Sequence, residues 1–522
     1  MEKLIQNKNL ADYSDLIENT LKTCEAGTKI VFEPGEYYIG RYIHVENIDN
    51  VVIDGGNALF ITHYDTINVE NVQGLFIFKN CSNITVKNFE LDTDNDINVT
   101  AAVTKKDPDN LTYEMKLLDG FTMDKGEHMA VVESFDENLV PDYVLTHYSP
   151  DTEYEYIGDG TLRVKLTENH RSEIANVKIG QQMAIRHCDL NRAAMDFNNC
   201  TNVILENFRV YAASNLFVIN CCENFTFRKI CVKGREGSKH LMNTERDGAW
   251  INGLRGKLIM EDCHFERLGD DTLNVHSKGN VIDEISGNTL KFKEAPGVAA
   301  WARKGDVLDI HDAVTFEKKC SITVSEYNCG NMIFEGNPEG VNPGDVLCNT
   351  GYYCSVEVRN TVTRNSRARG FLIQTQNVLI ENCEIADMAL AGVIISPDLK
   401  IWYEMGPSSN VTFRNNKFIN CCNDHGFITN AVISIQRAHD GPDMVSQNKI
   451  HKQITFDGNL FENCHVSILH AEGTDGLIFK NNSIKNCVFD AVNNKDRKEK
   501  ILNIYACDNV EISGNDVDGV LF

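Results

Sequence analysis

Short stretches in which apolar and polar residues alternate recur along the whole chain. The unit reads Asn, apolar, any, apolar, any, and often Asn again. It opens at Asn50 (NVVIDGG), Asn83 (NITVKNF), Asn202 (NVILENF) and Asn224 (NFTFRKI), and returns at Lys257, Asn377, Asn410, Gln453, Gly476 and Asn509. Alternation at period two marks each unit as a half-buried strand. Neighbouring units stand 22, 23 or 33 residues apart. A strand that returns every twenty-odd residues, with occasional longer loops, predicts a coiled solenoid. Each strand then bonds to its counterpart one coil on, about 4.8 Å away. The repeated Asn residues are expected to stack as a ladder at a corner, where the backbone favours left-handed turns. Helical leucine-rich arrays are excluded, because the units lack L-x-x-L-x-L and no 3.6-period segment separates them.

The fold class that follows is all-β: a right-handed parallel β-helix, a pectin-lyase-like solenoid, with two inserted antiparallel β-barrel-like modules. The modules are expected where the repeat lapses into longer alternating runs with hairpin turns, such as Leu162–Leu166, Leu290–Phe292 and Ser321–Val324. The domain reading is N-terminal coils over 1–103, a first module over 104–186 and coils over 187–276. A second module covers 277–354 and C-terminal coils cover 355–522. Insertions in a solenoid commonly cluster on the binding face.

Composition narrows the partners. A net charge of −25 repels phosphate backbones and anionic lipid, so nucleic acid is excluded as a general partner. No window approaches about 18 consecutive apolar residues, so no membrane span is expected. The opening MEKLIQNKNLADYSD lacks an apolar leader, so the expected address is the cytoplasm, with export by another route left open. Eighteen cysteines occur without any C-x-x-C pair. Seven follow Asn at the end of an apolar run, which reads as small buried side chains in a repeated turn.

The densest chemistry lies in N-T-E-R-D-G-A-W-I-N from Asn243 and L-G-D-D-T-L-N-V-H-S from Leu268. Asp247 stands 23 residues before Asp270 and 24 before Asp271, about one coil. The three carboxylates should therefore lie together on adjacent rungs. Three acids that close cannot all ionise freely, and the result is a proton donor beside a carboxylate base. That pair suits glycosidic hydrolysis, with an acid on the leaving oxygen and a base on water. The same residues also read as ordinary turns, and clustered carboxylates also bind calcium. Parity points Leu273 and Val275 inward and sets Thr272, Asn274 and His276 outward beside Asp270. His276 there is expected to be a hydrogen-bonding wall. Trp250 offers a platform for a sugar face. Gln374 is expected on the same outward carbohydrate-binding face, roofed by the loop carrying Trp402 and Glu404.

With E-P-G-E-Y-Y-I-G from Glu33, the two Asp motifs and W-Y-E-x-G-P from Trp402, the chain resembles glycoside hydrolase family 110, the exo-acting α-1,3-galactosidases. The resemblance implies a β-helix with two inserted barrels and inversion of anomeric configuration. It also implies catalysis by Asp247, Asp270 and Asp271, and no metal or organic cofactor. The implied substrate is an oligosaccharide or glycoconjugate ending in α-1,3-linked galactose, of blood-group-B type or linear. Two other readings stand beside it: a polygalacturonase-like hydrolase and a non-catalytic carbohydrate-binding β-helix. Against the first, no G-H-G or R-I-K motif follows Asp271, and the site region is not notably basic. A solenoid with inserted modules also offers surfaces for a homodimer.

Three expectations about mechanism follow. Neighbouring coils should separate Asp247 from the Asp270–Asp271 pair enough to admit a water. Asp270 should be the general acid, its pKa raised by two acidic neighbours. Asp247 and Asp271 should share activation of the water.

Overall fold

The computed structural model describes residues 1–67, 74–123, 126–148, 152–187, 193–292, 301–328, 330–336, 338–398, 402–423, 431–437, 448–464, 466–487 and 501–518. Most described residues outside the two insertions form parallel strands stacked coil on coil. Ser82–Thr93 pairs with Thr201–Val210, which pairs with Asn215–Val232, which pairs with Ala249–Glu261, always in parallel. The protein is a parallel β-helix, as the repeat predicts. Its first rung, Glu2–Ile5, lies below the first recognisable repeat and pairs with Lys29–Phe32. The helix Ser14–Lys22 follows that rung and buries Ile17 and Leu21.

Stacking of like residues explains why these sequences coil. Asn50, Asn83, Asn202, Asn224, Asn377, Asn410 and Asn509 all have φ between 49° and 57°. That left-handed conformation costs most residues about 1–2 kcal/mol, and Asn enters it readily because its amide can bond locally. Here the amide bonds along the stack: Asn202 donates to Asn83 Oδ1 at 2.9 Å, and Asn224 donates to Asn202 Oδ1 at 3.0 Å. Asn410 donates to Asn377 at 2.8 Å further along. Between Asn224 and Asn377 the ladder is interrupted, because Lys257 and Ser355 occupy the intervening rungs. Inside the coil, Phe78 stacks on Phe197 with centroids 4.9 Å apart. The described cysteines are all free, and most are buried. Several point back to a carbonyl of the previous coil, as Cys81 Sγ does to Val45 O at 3.4 Å.

Two antiparallel units interrupt the coils. The first is a seven-stranded sheet that begins at Asn98, inside the first stretch assigned to coils by periodicity, and ends at Arg186. It has its own core, including Val99, Met115, Leu145, Val164 and Ile185. The second grows out of a single strand, Leu273–Ser286. Through His276 this strand pairs in parallel with the coils before and after it. From Gly279 it pairs antiparallel with Val346–Asn349, and from Ile282 with Thr289–Phe292. The ring closes through Asn331–Glu335, Lys318–Asn328 and Val307–His311, giving a barrel around Trp301, Leu308 and Phe334.

Candidate active site

The two acidic turns are brought together by close backbone contact between coils. A side chain at Gly269 would meet the backbone of Glu245 at 2.3 Å, so only glycine lets the second turn rest on the first. Register then stacks Asp247 under Asp271: Ala249 pairs with Leu273 and Gly248 N donates to Asp271 O at 2.9 Å. Asp247 Oδ1 also accepts from the Asp271 N–H at 3.0 Å. One oxygen from each of Asp247, Asp270 and Asp271 lies within 4.8 Å of the others. This corrects the expected separation, because an inverting pair typically stands about 6.5–9.5 Å apart. Adjacent rungs bring the acids closer than that.

The third rung supplies cations. Arg369 follows Asp271 in the same column and fastens it with N–H bonds from the backbone at 3.1 Å and from Nε at 2.6 Å. Arg246 and Arg369 approach Asp270 at 3.6 and 3.7 Å. The site is therefore more basic than its sequence neighbourhood indicates. The charges divide the three acids. Burial pushes Asp247 well above the usual carboxylate range, and the charges of Asp270 and Asp271 push it further. Burial also raises Asp271, to about 6, although Arg369 opposes it. Asp270 behaves differently: burial would raise it, but the guanidiniums of Arg369, Arg367, Arg246 and Arg186 outweigh burial and hold it below its ordinary value. The expected rise in the pKa of Asp270 is thus corrected, since its cations outweigh its acidic neighbours. The carboxyl raised well above its ordinary range is Asp247, and Asp270 is the one its cations hold low. The triplet is also where a divalent cation would find three carboxylates, but two guanidiniums already stand against Asp270 and oppose a further positive charge.

A cavity of about 140 Å³ opens over the acids. Asp247, Asp270, Asp271, Trp250, Asn274, Gln374, Trp402 and Glu404 all line it. His276, expected among them, does not. It is buried behind the wall, accepting from Trp250 Nε1 at 3.1 Å on Nε2, with Nδ1 3.0 Å from Ser277 O. Burial holds it neutral, with its pKa lowered to about 3. It orients the Trp250 ring instead of meeting the cavity. Thr272, assigned to the same outward face, is also turned away, 2.5 Å from Thr363 Oγ1 inside the coil. Leu273 and Val275 do lie in the core.

The Trp402–Glu404 segment is held from the second barrel. Glu404–Met405 pairs antiparallel with Ser277 and Lys278, and Met405 packs with Val346 and Cys348. Gly406, at φ 122°, passes so close to Tyr353 and the Gln374 carbonyl that a side chain there would collide. Glu404 accepts from Asn274 Nδ2 at 3.0 Å and forms a buried wall, whereas Trp402 stays 45% exposed at the rim. Ile401 lies outside the described residues. Sequence reasoning missed Arg246, Arg369, Leu372, Ile394, Ser396 and Asp398, which complete the lining. Asn274 Oδ1, Gln374 Oε1 and Ser396 Oγ, on residues that line the cavity, are buried without a hydrogen-bond partner among the described residues.

The family model described as a right-handed beta helix region matches residues 305–453. Alpha-1,3-galactosidase B of Bacteroides thetaiotaomicron is 24% identical over 511 residues, covering 91% of this chain and 80% of that protein. Alpha-1,3-galactosidase A of Akkermansia muciniphila is 30% identical over 274 residues, 50% of this chain and 44% of its own length. Among solved structures, the family 28 exopolygalacturonase of Yersinia enterocolitica aligns with 98% of this chain and 79% of that one, at 10% identity and a TM-score of 0.48.

Proposed function

We propose that the chain is a glycoside hydrolase acting on α-galactosides, and that it removes terminal α-1,3-linked galactose from glycans, of blood-group-B type or linear. The observation that carries this reading is the gathering of Asp247, Asp270 and Asp271 within 4.8 Å of one another in one small cavity, with burial raising Asp247 and guanidiniums holding Asp270 low. A protonated carboxyl beside an ionised one is the equipment for acid–base cleavage of a glycosidic bond. The long similarity to an alpha-1,3-galactosidase supports the choice of sugar and linkage. Exo-action is supported by shape, since the cavity is small and is walled by Glu404 and rimmed by Trp402.

In this reading Asp247 protonates the glycosidic oxygen and Asp270 takes a proton from the attacking water. Asp270 suits the second role because its cations stand at 3.6 and 3.7 Å, beyond tight hydrogen bonds, so its oxygens stay available. Asp271, fastened by Arg369, keeps Asp247 protonated through its charge. Asn274, Gln374 and Ser396 present the open polar atoms to the galactose hydroxyls, and Trp250 faces the ring. The stereochemical course is single displacement, which rests on the resemblance to family 110 rather than on the spacing of the acids. Proton NMR of galactose freshly released from Galα1-3Gal tests it: β-galactose should appear first, and α-galactose first would mean double displacement.

Two guanidiniums in the cavity favour one second reading, an anionic sugar such as a galacturonide. Arg369 is already committed to Asp271, which weighs against it. Assay on polygalacturonate beside Galα1-3Gal separates the two.

A further inference from the structure

Behind the acids, away from the cavity, lies a buried charge cluster whose cations act on Asp270 without lining the cavity. Its centre is Glu133 in the first inserted sheet, on the strand Val131–Phe135 and 2% exposed. Two guanidiniums meet it. Arg186, from the same sheet, donates to Glu133 Oε1 at 3.1 Å and to the Glu245 carbonyl at 2.5 Å. Arg367, from the coil after the acids, forms an ion pair with Glu133 through Nε. It also donates from Nη1 to the Gly269 carbonyl at 3.4 Å and from Nη2 to the Tyr148 hydroxyl at 2.6 Å. The two carbonyls so held precede the catalytic turns: Glu245 lies two residues before Asp247, and Gly269 immediately before Asp270.

We infer that Arg367, seated by Glu133 and Tyr148 of the inserted sheet, is a positioning residue that fixes the Gly269–Asp270 turn and holds a permanent positive charge behind Asp270. The inserted sheet is thereby part of the catalytic apparatus, although none of its described residues lines the cavity. An unpaired guanidinium is costly to bury, and Glu133 and Tyr148 make this one tolerable at a place where the coil alone offers only a carbonyl. Asp270 is surrounded by Arg246 on the coil before it, Arg369 and Arg367 on the coil after it, and Arg186 and Tyr143 from the sheet. Asp247 and Asp271 are the opposing charges. Removing one cation from that set makes Asp270 easier to protonate.

The inference rests on the glycosidase reading, and the experiment keeps the two apart. The full chain is first assayed on Galα1-3Gal: an inert wild type overturns the reading of the site itself. With an active wild type, the pH dependence of kcat/KM is measured for Arg367→Gln, Arg367→Lys and Tyr148→Phe. Arg367→Gln leaves Glu133 paired with Arg186, so the fold has a route to survive. Its acidic limb should move to higher pH by about one unit, through a fall in kcat with KM little changed. Arg367→Lys keeps the charge and should bring the limb back toward wild type. Tyr148→Phe, which removes an anchor and no charge, should move it less and in the same direction, and it carries the test if Arg367→Gln does not fold. A limb that stays in place in every folded variant, with only the melting temperature lowered, would overturn the inference and leave the cluster a structural fastening.

Discussion

Two columns of the same solenoid obey opposite rules. In the ladder Asn83–Asn202–Asn224, identical neutral amides stack, each donating to the one before it. In the column Asp247–Asp271–Arg369, charges stack at the same rung spacing, and like meets like before an opposite charge ends the run. The first arrangement satisfies every rung and can be repeated. The second cannot satisfy all its members, and burial with mutual repulsion drives the proton onto Asp247. One backbone thus yields either a structural seam or a poised acid, depending on whether the stacked group carries charge.

Converting the charged column toward the neutral rule should have the largest effect. Asp247→Asn puts an amide where the protonated acid stands. It should lower kcat on Galα1-3Gal by about 10²–10⁴-fold, the usual worth of general acid catalysis. Because the amide removes the cost of taking up a proton on folding, its melting temperature at neutral pH should not fall and should rise, a common exchange of activity for stability. A variant that lost activity and stability together would mean that Asp247 is structural.

Breaking the opposite-charge end comes next. Arg369→Gln leaves Asp271 buried without its partner, which typically costs about 3–5 kcal/mol. The pH dependence has a definite sign. Asp271 is held at about 6, above the value of about 3.9 of a free aspartate. The folded chain therefore loses this contribution as pH rises from about 4 through about 6. In Arg369→Gln the folded value lies higher still, so the deficit against wild type should be greatest at neutral pH and shrink in acid. Thermal melts at pH 4.5 and 7.5 read it.

How much of this could be read from sequence follows from the same contrast. The ladder was visible because identical residues recur at short, regular steps, and the Asp pair was visible because its spacing is one coil. Arg369 was not, since it stands 98 residues after Asp271 with the whole second barrel between them. Counting coils fails across such an excursion. Arg186 and Glu133 escaped for a related reason: they reach the site from an insertion whose docking no period encodes. Parity correctly sent Leu273 and Val275 inward, but it could not show that Glu404–Met405 would pair over the outer face and bury His276. The raised pKa expected of Asp270 was overturned because two acids were counted and four guanidiniums were not.

A gentler change sharpens the link between neighbours in the charged column. Asp271→Asn removes a negative charge beside Asp247, so Asp247 should give up its proton at lower pH. The alkaline limb of the residual kcat/KM should move toward acid by about one unit. An unmoved limb would mean that the two carboxyls do not sense each other.

The smallest effect belongs to the neutral ladder. Asn224→Ala forces alanine into φ 54° and removes the bonds to Asn202 Oδ1 and from the Lys257 N–H. The cost should be about 1–3 kcal/mol, with activity unchanged. Asn224→Gly restores the backbone freedom and should recover roughly 1 kcal/mol of it. Denaturant unfolding that ranks Gly below Ala would contradict the ladder's energetics.

The central claim is that Asp247 carries the proton and Asp270 is the base, and leaving-group dependence tests it most directly. Each acid is replaced by Ala, and kcat/KM is measured on 2,4-dinitrophenyl α-galactoside, whose leaving group needs no proton, and on Galα1-3Gal, whose leaving group does. Asp247→Ala should keep most of its activity on the activated substrate while losing about 10²–10⁴-fold on the disaccharide. Asp270→Ala should lose activity on both, with azide restoring turnover of the activated one. If Asp270→Ala were instead the variant rescued by a good leaving group, the assignment of acid and base would be reversed.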